Sequence, residues 1–162
     1  MANSENIRAI VVTVSDSRTE NNDTSGAVLV ELLSGMGAQI VEKIIVSDDF
    51  EGLRQTLYSL TEREDANLIV TTGGTGLAPR DDTPEATRSV IERETQGLAE
   101  AMRSETLKKK PTAMLSRGVC GIRGNTLIIN LPGSPNAVNE CFEVIKPVLP
   151  HAINLINGET KH

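Results

Sequence analysis

The sequence predicts an α/β layered domain built on a mostly parallel sheet. Three observations predict it. Apolar, β-branched runs alternate with helix-period patterns three times in succession, which implies parallel strands joined by right-handed crossovers. Two later strand-like runs flank Arg123-Gly124-Asn125, which adds an antiparallel hairpin at one edge. The chain has 162 residues, 38% of them hydrophobic and mostly aliphatic. That is enough for one domain (1–162) with a core over about 7–158.

The elements follow in order. Residues 8–14, R-A-I-V-V-T-V, form a strand covered on both faces. After a polar loop, Asp23 or a neighbour caps a helix that runs to about Gly35, with Val28, Leu29, Leu32 and Leu33 on its apolar stripe. A second strand covers 39–46. Ser47-Asp48-Asp49 turns into a helix over 50–63 that carries Leu53, Leu57 and Leu60 on one face. A third strand covers 67–72. Thr83-Pro84-Glu85 starts a helix, with Thr83 as cap, that runs to about Glu94. Another helix spans 97–109. Residues 112–117 and 126–131 read as strands, with 118–125 contributing to the hairpin. Helices over 136–145 and 147–156 follow, and Gly158 stops the last one.

Composition removes several function classes. A net charge of −6 argues against nucleic-acid binding, and 2% aromatic residues provide no stacking platform for single strands. No apolar run approaches the ~20 residues that span a bilayer, and residues 1–6 lack the apolar stretch of a secretory signal. A soluble cytoplasmic protein is the expectation. Cys120 and Cys141 form no CxxC pair and read as buried small hydrophobes. Lys108-Lys109-Lys110 reads as a solvated helix end. His151 and His162 offer neither a metal cluster nor a Ser-His-Asp arrangement.

In open parallel sheets, ligands bind beyond the C-terminal ends of the strands. Here those ends carry Ser15-Asp16-Ser17, Ser47-Asp48-Asp49 and Thr71-Thr72-Gly73-Gly74-Thr75-Gly76, the last followed by Arg80-Asp81-Asp82. The loop at 130–135 can join them. Glycines let backbone N–H groups approach a phosphate, so Gly73–Gly76 reads as a phosphate cradle or as a plain tight turn. It is neither a Walker A motif nor GxGxxG. Asp48 and Asp81 read as a Mg²⁺-holding pair or as helix caps, although Asp49 and Asp82 are better placed to cap. Arg80, Arg117 and Arg123 are available cations that also read as ordinary surface residues. At this level the chain is an α/β domain that binds a phosphorylated small molecule.

Five stretches together go further. D-x-S-G at 23–26, TTGGTG at 71–76, PRDDTPEAT at 79–87, AMLSR at 113–117 and GIRGNTLIINLPGSPNAV at 121–138 resemble the molybdopterin-binding domain family of molybdenum cofactor biosynthesis. This family includes molybdopterin adenylyltransferases and the G domain of gephyrin. The likeness runs over about 7–158. It implies a three-layer α/β/α fold, a homotrimer, Mg²⁺ as cofactor, and ATP and molybdopterin as substrates for adenylyl transfer with release of pyrophosphate. Contact with other enzymes of the pathway is also implied. Carried over residue by residue, the family's catalytic, Mg²⁺-linked aspartates fall on Asp48 and Asp81. The proline that precedes the first of these in the family is replaced by Ser47. Gly73, Gly74, Thr75 and Gly76 would contact phosphate. Ser116 and Asn130 would seat the pterin phosphate or the nucleotide. Ser15, Asp16, Pro132, Gly133 and Ser134 would line the same pocket. Two alternatives stand beside the enzyme: a molybdopterin carrier without catalysis, and a scaffold protein.

Overall fold

The computed structural model of the chain describes residues 3–160. Its centre is a six-stranded sheet in the order β2-β1-β3-β6-β5-β4. The strands are β1 (Arg8–Val14), β2 (Gln39–Val46), β3 (Leu68–Thr72), β4 (Arg93–Glu94), β5 (Cys120–Arg123) and β6 (Thr126–Leu131). β1 pairs in parallel with β2 and β3, and β3 pairs in parallel with β6. β5 is antiparallel to β6, and β4 to β5. The sheet is therefore parallel with an antiparallel edge.

Side chains alternate between the two faces of each strand, and the core divides accordingly. Ala9, Val11, Leu68, Val70, Leu127 and Ile129 point to one side. There they meet α1 (Thr24–Gly35), α4 (Gln96–Leu107), α5 (Pro135–Ile145) and α6 (Leu149–Ile156). Ile10, Val12, Ile69 and Ile128 point to the other, against α2 (Phe50–Thr61) and α3 (Thr83–Val90). Both faces are covered, which gives the three layers. Apolar side chains on both faces explain the near-continuous β-branched runs of β1 and β3.

Three elements differ from the sequence expectation. The helix from Thr83 ends at Val90 instead of about Glu94, because Glu92 N–H donates to Ile122 O at 2.8 Å and Thr95 N–H to Cys120 O at 2.9 Å, pulling the chain into edge strand β4. Residues 112–117 are not a strand. Pro111–Leu115 form a 3₁₀ helix that leaves Met114 61% exposed, and the hairpin partner of β6 is Cys120–Arg123. Thr83 does not cap α3. Asp82 occupies the cap position, and the Thr83 hydroxyl donates to Gly73 O at 3.0 Å.

Among the described residues, no helix is long and apolar enough to cross a membrane. Cys120 and Cys141 are buried free thiols, and burial pushes them up to about 12 and about 11. His151 lies exposed on α6, away from the strand ends. His162 lies outside the described residues.

Candidate functional site

Because β1, β2, β3 and β6 run parallel, the segments after them gather at one edge of the sheet. The segment after β3 is fixed by its neighbours. Gly73 has φ +102°, and a Cβ there would lie 2.4 Å from Val14 O. Gly74 has φ +68°, and a Cβ there would lie 2.2 Å from Thr83 Oγ1 and 3.1 Å from Asp48 Oδ1. Only glycine satisfies both the left-handed backbone and the close approach. Thr83 clamps the loop from the start of α3: its N–H donates to Gly74 O at 3.1 Å, and its hydroxyl to Gly73 O.

A cavity of about 400 Å³ opens on one side of this loop. Gly74, Thr75, Gly76 and Asp81 form one wall, and Pro132, Gly133 and Ser134 form another. Ser116 and Asn130 also line it, so nine of the expected site residues share one space. Ser134 caps α5 by accepting Ala137 N–H at 3.2 Å, and the first turn of α5 carries no acid. An anion is favoured at such a helix start. Ala99, Met102, Ala137 and Cys141 give the cavity an apolar floor suited to a flat ring.

Asn130 lines the cavity, but its amide is committed to the scaffold. Its Oδ1 accepts Val119 N–H at 3.0 Å, and its Nδ2 donates to the Thr71 and Thr87 hydroxyls, each at 3.0 Å. Arg103 and Lys110 also line the cavity. Sequence reasoning missed both. The lysine run reads as a solvated helix end, yet Lys108 pairs with Glu105 while Lys110 borders the cavity. The adjacent Pro111, which turns the chain there, was the available signal.

Ser15, Asp16, Asp48 and Gly73 are not on the cavity wall, contrary to the expectation of a single pocket. Ser15, Asp16 and Asp48 lie across the glycine loop, where the ends of β1 and β2 meet, while Gly73 opens the loop itself and donates its N–H to Leu131 O at 3.1 Å. The Ser15 hydroxyl accepts the N–H groups of Ser17 and Arg18, both at 3.2 Å, closing its own turn. Asp16 accepts Asp48 N–H at 3.1 Å and pairs with Arg80 through Nε at 2.7 Å and Nη2 at 3.0 Å. Arg123 belongs to neither patch: its guanidinium lies 4.3 Å from the Tyr58 ring centroid.

Asp48 and Asp81 flank the glycine loop. Asp49 caps α2 by accepting Gly52 N–H at 2.8 Å, which leaves Asp48 free of that duty. Asp48 Oδ1 is buried without a hydrogen-bond partner, a costly state for a carboxylate oxygen. Burial pushes its pKa up and the charges of Asp16 and Asp81 push it further, while the backbone at Asp16 and, less, the charge of Arg80 partly offset them. Asp81 Oδ2 accepts Ala78 N–H at 3.0 Å and lies 2.8 Å from where a Cβ on Gly76 would be. An unpartnered oxygen among repelling carboxylates fits a hard divalent cation. No group of three or more His, Cys, Asp or Glu among the described residues could hold a metal by itself. A cation would therefore share these carboxylates with oxygens of a ligand, as Mg²⁺ does beside phosphates.

Residues 10–151 match the family model described as a probable molybdopterin binding domain. The chain is 46% identical over 159 residues to the Drosophila melanogaster molybdenum cofactor synthesis protein cinnamon, covering 96% of this chain. It spans only about a quarter (26%) of that longer protein. It is 43% identical over 138 residues to the molybdopterin adenylyltransferase of Helicobacter pylori J99, covering 84% of this chain and 78% of that protein. The crystal structure of the molybdopterin biosynthesis enzyme MoaB from Thermus thermophilus superimposes with a TM-score of 0.87 at 48% identity, covering 94% of this chain and 97% of that one.

Proposed function

The chain belongs to the molybdopterin-binding domain family, and from that premise we propose that it is a molybdopterin adenylyltransferase of molybdenum cofactor biosynthesis. An oxygen of the molybdopterin phosphate attacks the α-phosphorus of ATP. A new P–O–P linkage forms, the bond to the β-phosphate oxygen breaks, and pyrophosphate leaves with that electron pair. The products are adenylyl-molybdopterin and pyrophosphate. Relatives bearing the name molybdopterin adenylyltransferase support this reading.

The observation that carries it is the buried, unpartnered Oδ1 of Asp48 beside the glycine loop. Asp48 and Asp81 would hold Mg²⁺, which when bound supplies the charge neutralisation that phosphoryl transfer demands. The Gly74–Gly76 amides bind phosphate oxygens and hold the attacking and leaving groups in line. The cavity with its Ala99, Met102 and Cys141 floor takes the pterin, and Ser116 donates to it. The α5 start at Ser134 faces the pterin-side phosphate. We further propose a cytoplasmic homotrimer, which sedimentation would test.

Incubation with Mg·ATP and molybdopterin tests the activity. Pyrophosphate should appear only when both substrates are present, in equal amount to adenylylated pterin. Pyrophosphate release that ignores molybdopterin, or none at all, would reject the reading.

A further inference from the structure

The Arg117 side chain grips both ends of the loop that carries Asp81. Its Nε donates to Gly76 O at 2.8 Å, its Nη2 donates to Asp81 O at 2.6 Å, and its Nη1 pairs with Glu85 in the first turn of α3. Its backbone N–H donates to Thr75 O at 2.9 Å. One residue thus holds three carbonyls of the 75–81 segment and the helix that follows.

Arg117 is itself held from behind. Arg103, on α4, donates through Nη1 to Gly118 O at 2.9 Å and to Ser116 O at 3.4 Å, the carbonyls on either side of Arg117. Arg103 and Ser116 both line the cavity. A chain of direct contacts therefore runs from the cavity wall through residues 116–118 to the loop bearing Asp81.

We propose that Arg117, braced by Arg103 and Glu85, is a positioning residue that holds the Asp81 carboxylate beside Gly76 of the glycine loop and ties that placement to the pterin-side wall. This inference rests on the adenylyl-transfer reading. Arg117 touches carbonyls and a carboxylate of its own chain, so its effect passes through Asp81. A planar guanidinium spans two carbonyls and a carboxylate at once, whereas an ammonium acts as a point charge. Lysine therefore keeps the charge without the frame.

The test is steady-state kinetics on full-length Arg117→Ala and Arg117→Lys with Mg·ATP and molybdopterin, alongside thermal melting. A displaced catalytic group costs on the order of 10²-fold in rate, so kcat should fall by about that factor in both variants while KM for ATP stays within about threefold. Added guanidinium should restore turnover in Arg117→Ala but not in Asp81→Asn. Should Arg117→Ala fail to fold, Arg117→Lys and Glu85→Gln carry the test, each expected to lower kcat more than KM. Wild-type kcat in Arg117→Lys, a loss confined to KM, or no guanidinium rescue of a folded Arg117→Ala would overturn the inference. A wild-type protein that makes no adenylyl-molybdopterin would instead bring down the underlying reading of the reaction.

Discussion

The Asp16 carboxylate accepts the backbone N–H of Asp48 at 3.1 Å, so the end of the first strand fixes the residue with the unpartnered oxygen. The same carboxylate holds Arg80, the residue next to Asp81. Asp16 thereby links the segments that carry the two proposed cation ligands.

Replacing Asp16 should separate these duties. Asp16→Asn retains an oxygen that can accept Asp48 N–H, whereas Asp16→Ala loses the acceptor altogether. Turnover is expected to fall on the order of tenfold for the alanine variant and less for asparagine. The Asp16–Arg80 pair is solvent-exposed, so the melting temperature should barely move. Equal losses in the two variants would detach Asp48 placement from this contact.

Asp81→Asn can still accept Ala78 N–H, which preserves the local turn while removing the charge. The expected outcome is a fold and molybdopterin affinity like wild type, with adenylylation down by about 10²-fold or more. Single-turnover product formation checks it. Wild-type rates would take Asp81 out of the mechanism.

Gly74→Ala combines a left-handed backbone with a clash against Thr83 Oγ1. The strain costs on the order of 1–3 kcal/mol, visible as a lower denaturation midpoint. Asp48 Oδ1, also close to that Cβ position, would be displaced as well. Nucleotide binding should therefore weaken even below the melting transition, which titration calorimetry would measure.

Asp23 is a stability device with a defined pH signature. Burial raises its pKa, but Lys43 at 2.8 Å, the Thr13 hydroxyl at 2.7 Å and Gly26 N–H at 3.0 Å together bring it below the ordinary 3.8. A pKa depressed on folding means the ionised form favours the native state. That contribution is complete above the unfolded value and is lost as pH falls through the lower folded value. Asp23→Asn keeps a capping oxygen for Gly26 N–H but removes the buried partner of Lys43, so it should destabilise the protein by on the order of 2 kcal/mol at pH 7. The difference from wild type should close in acid below pH 3.8. Denaturant midpoints across that range would test it, and a gap independent of pH would refute it.

Much of the fold was legible because the central strands β1 and β3 are covered on both faces and therefore continuous in apolar residues. β1 and β2 fall where the pattern places them. The edge hairpin differs because 112–117 looks strand-like, whereas the real strand, Cys120–Arg123, contains Gly121. A Cβ there would lie 2.9 Å from the backbone Arg93 O and 2.8 Å from Ile91 Cγ2, contacts no local pattern announces. Ile91–Glu94 sits beyond Val90 as apparent helix, and only pairing with β5 extends it.

In the candidate site, the glycine loop and both aspartates were readable as strand-end chemistry. That Asp49 is the better-placed cap was readable too, and Asp49 does accept Gly52 N–H; that Asp48 Oδ1 is left buried and unpartnered was not, because it depends on what packs around it. The division into two patches on either side of Gly74 depends on where Asp16 points, and its partners Asp48 and Arg80 are 32 and 64 residues away. The Arg117 frame was invisible for the same reason: its carbonyl partners lie 41 and 36 residues earlier.

The most direct measurement follows the α-phosphorus. With ATP labelled at that position, Mg²⁺ and molybdopterin, the wild-type protein should move the label onto the pterin and release unlabelled pyrophosphate, while Asp48→Asn should not. Label that ends up as free AMP with no adenylylated pterin, or transfer by Asp48→Asn at the wild-type rate, would contradict the account.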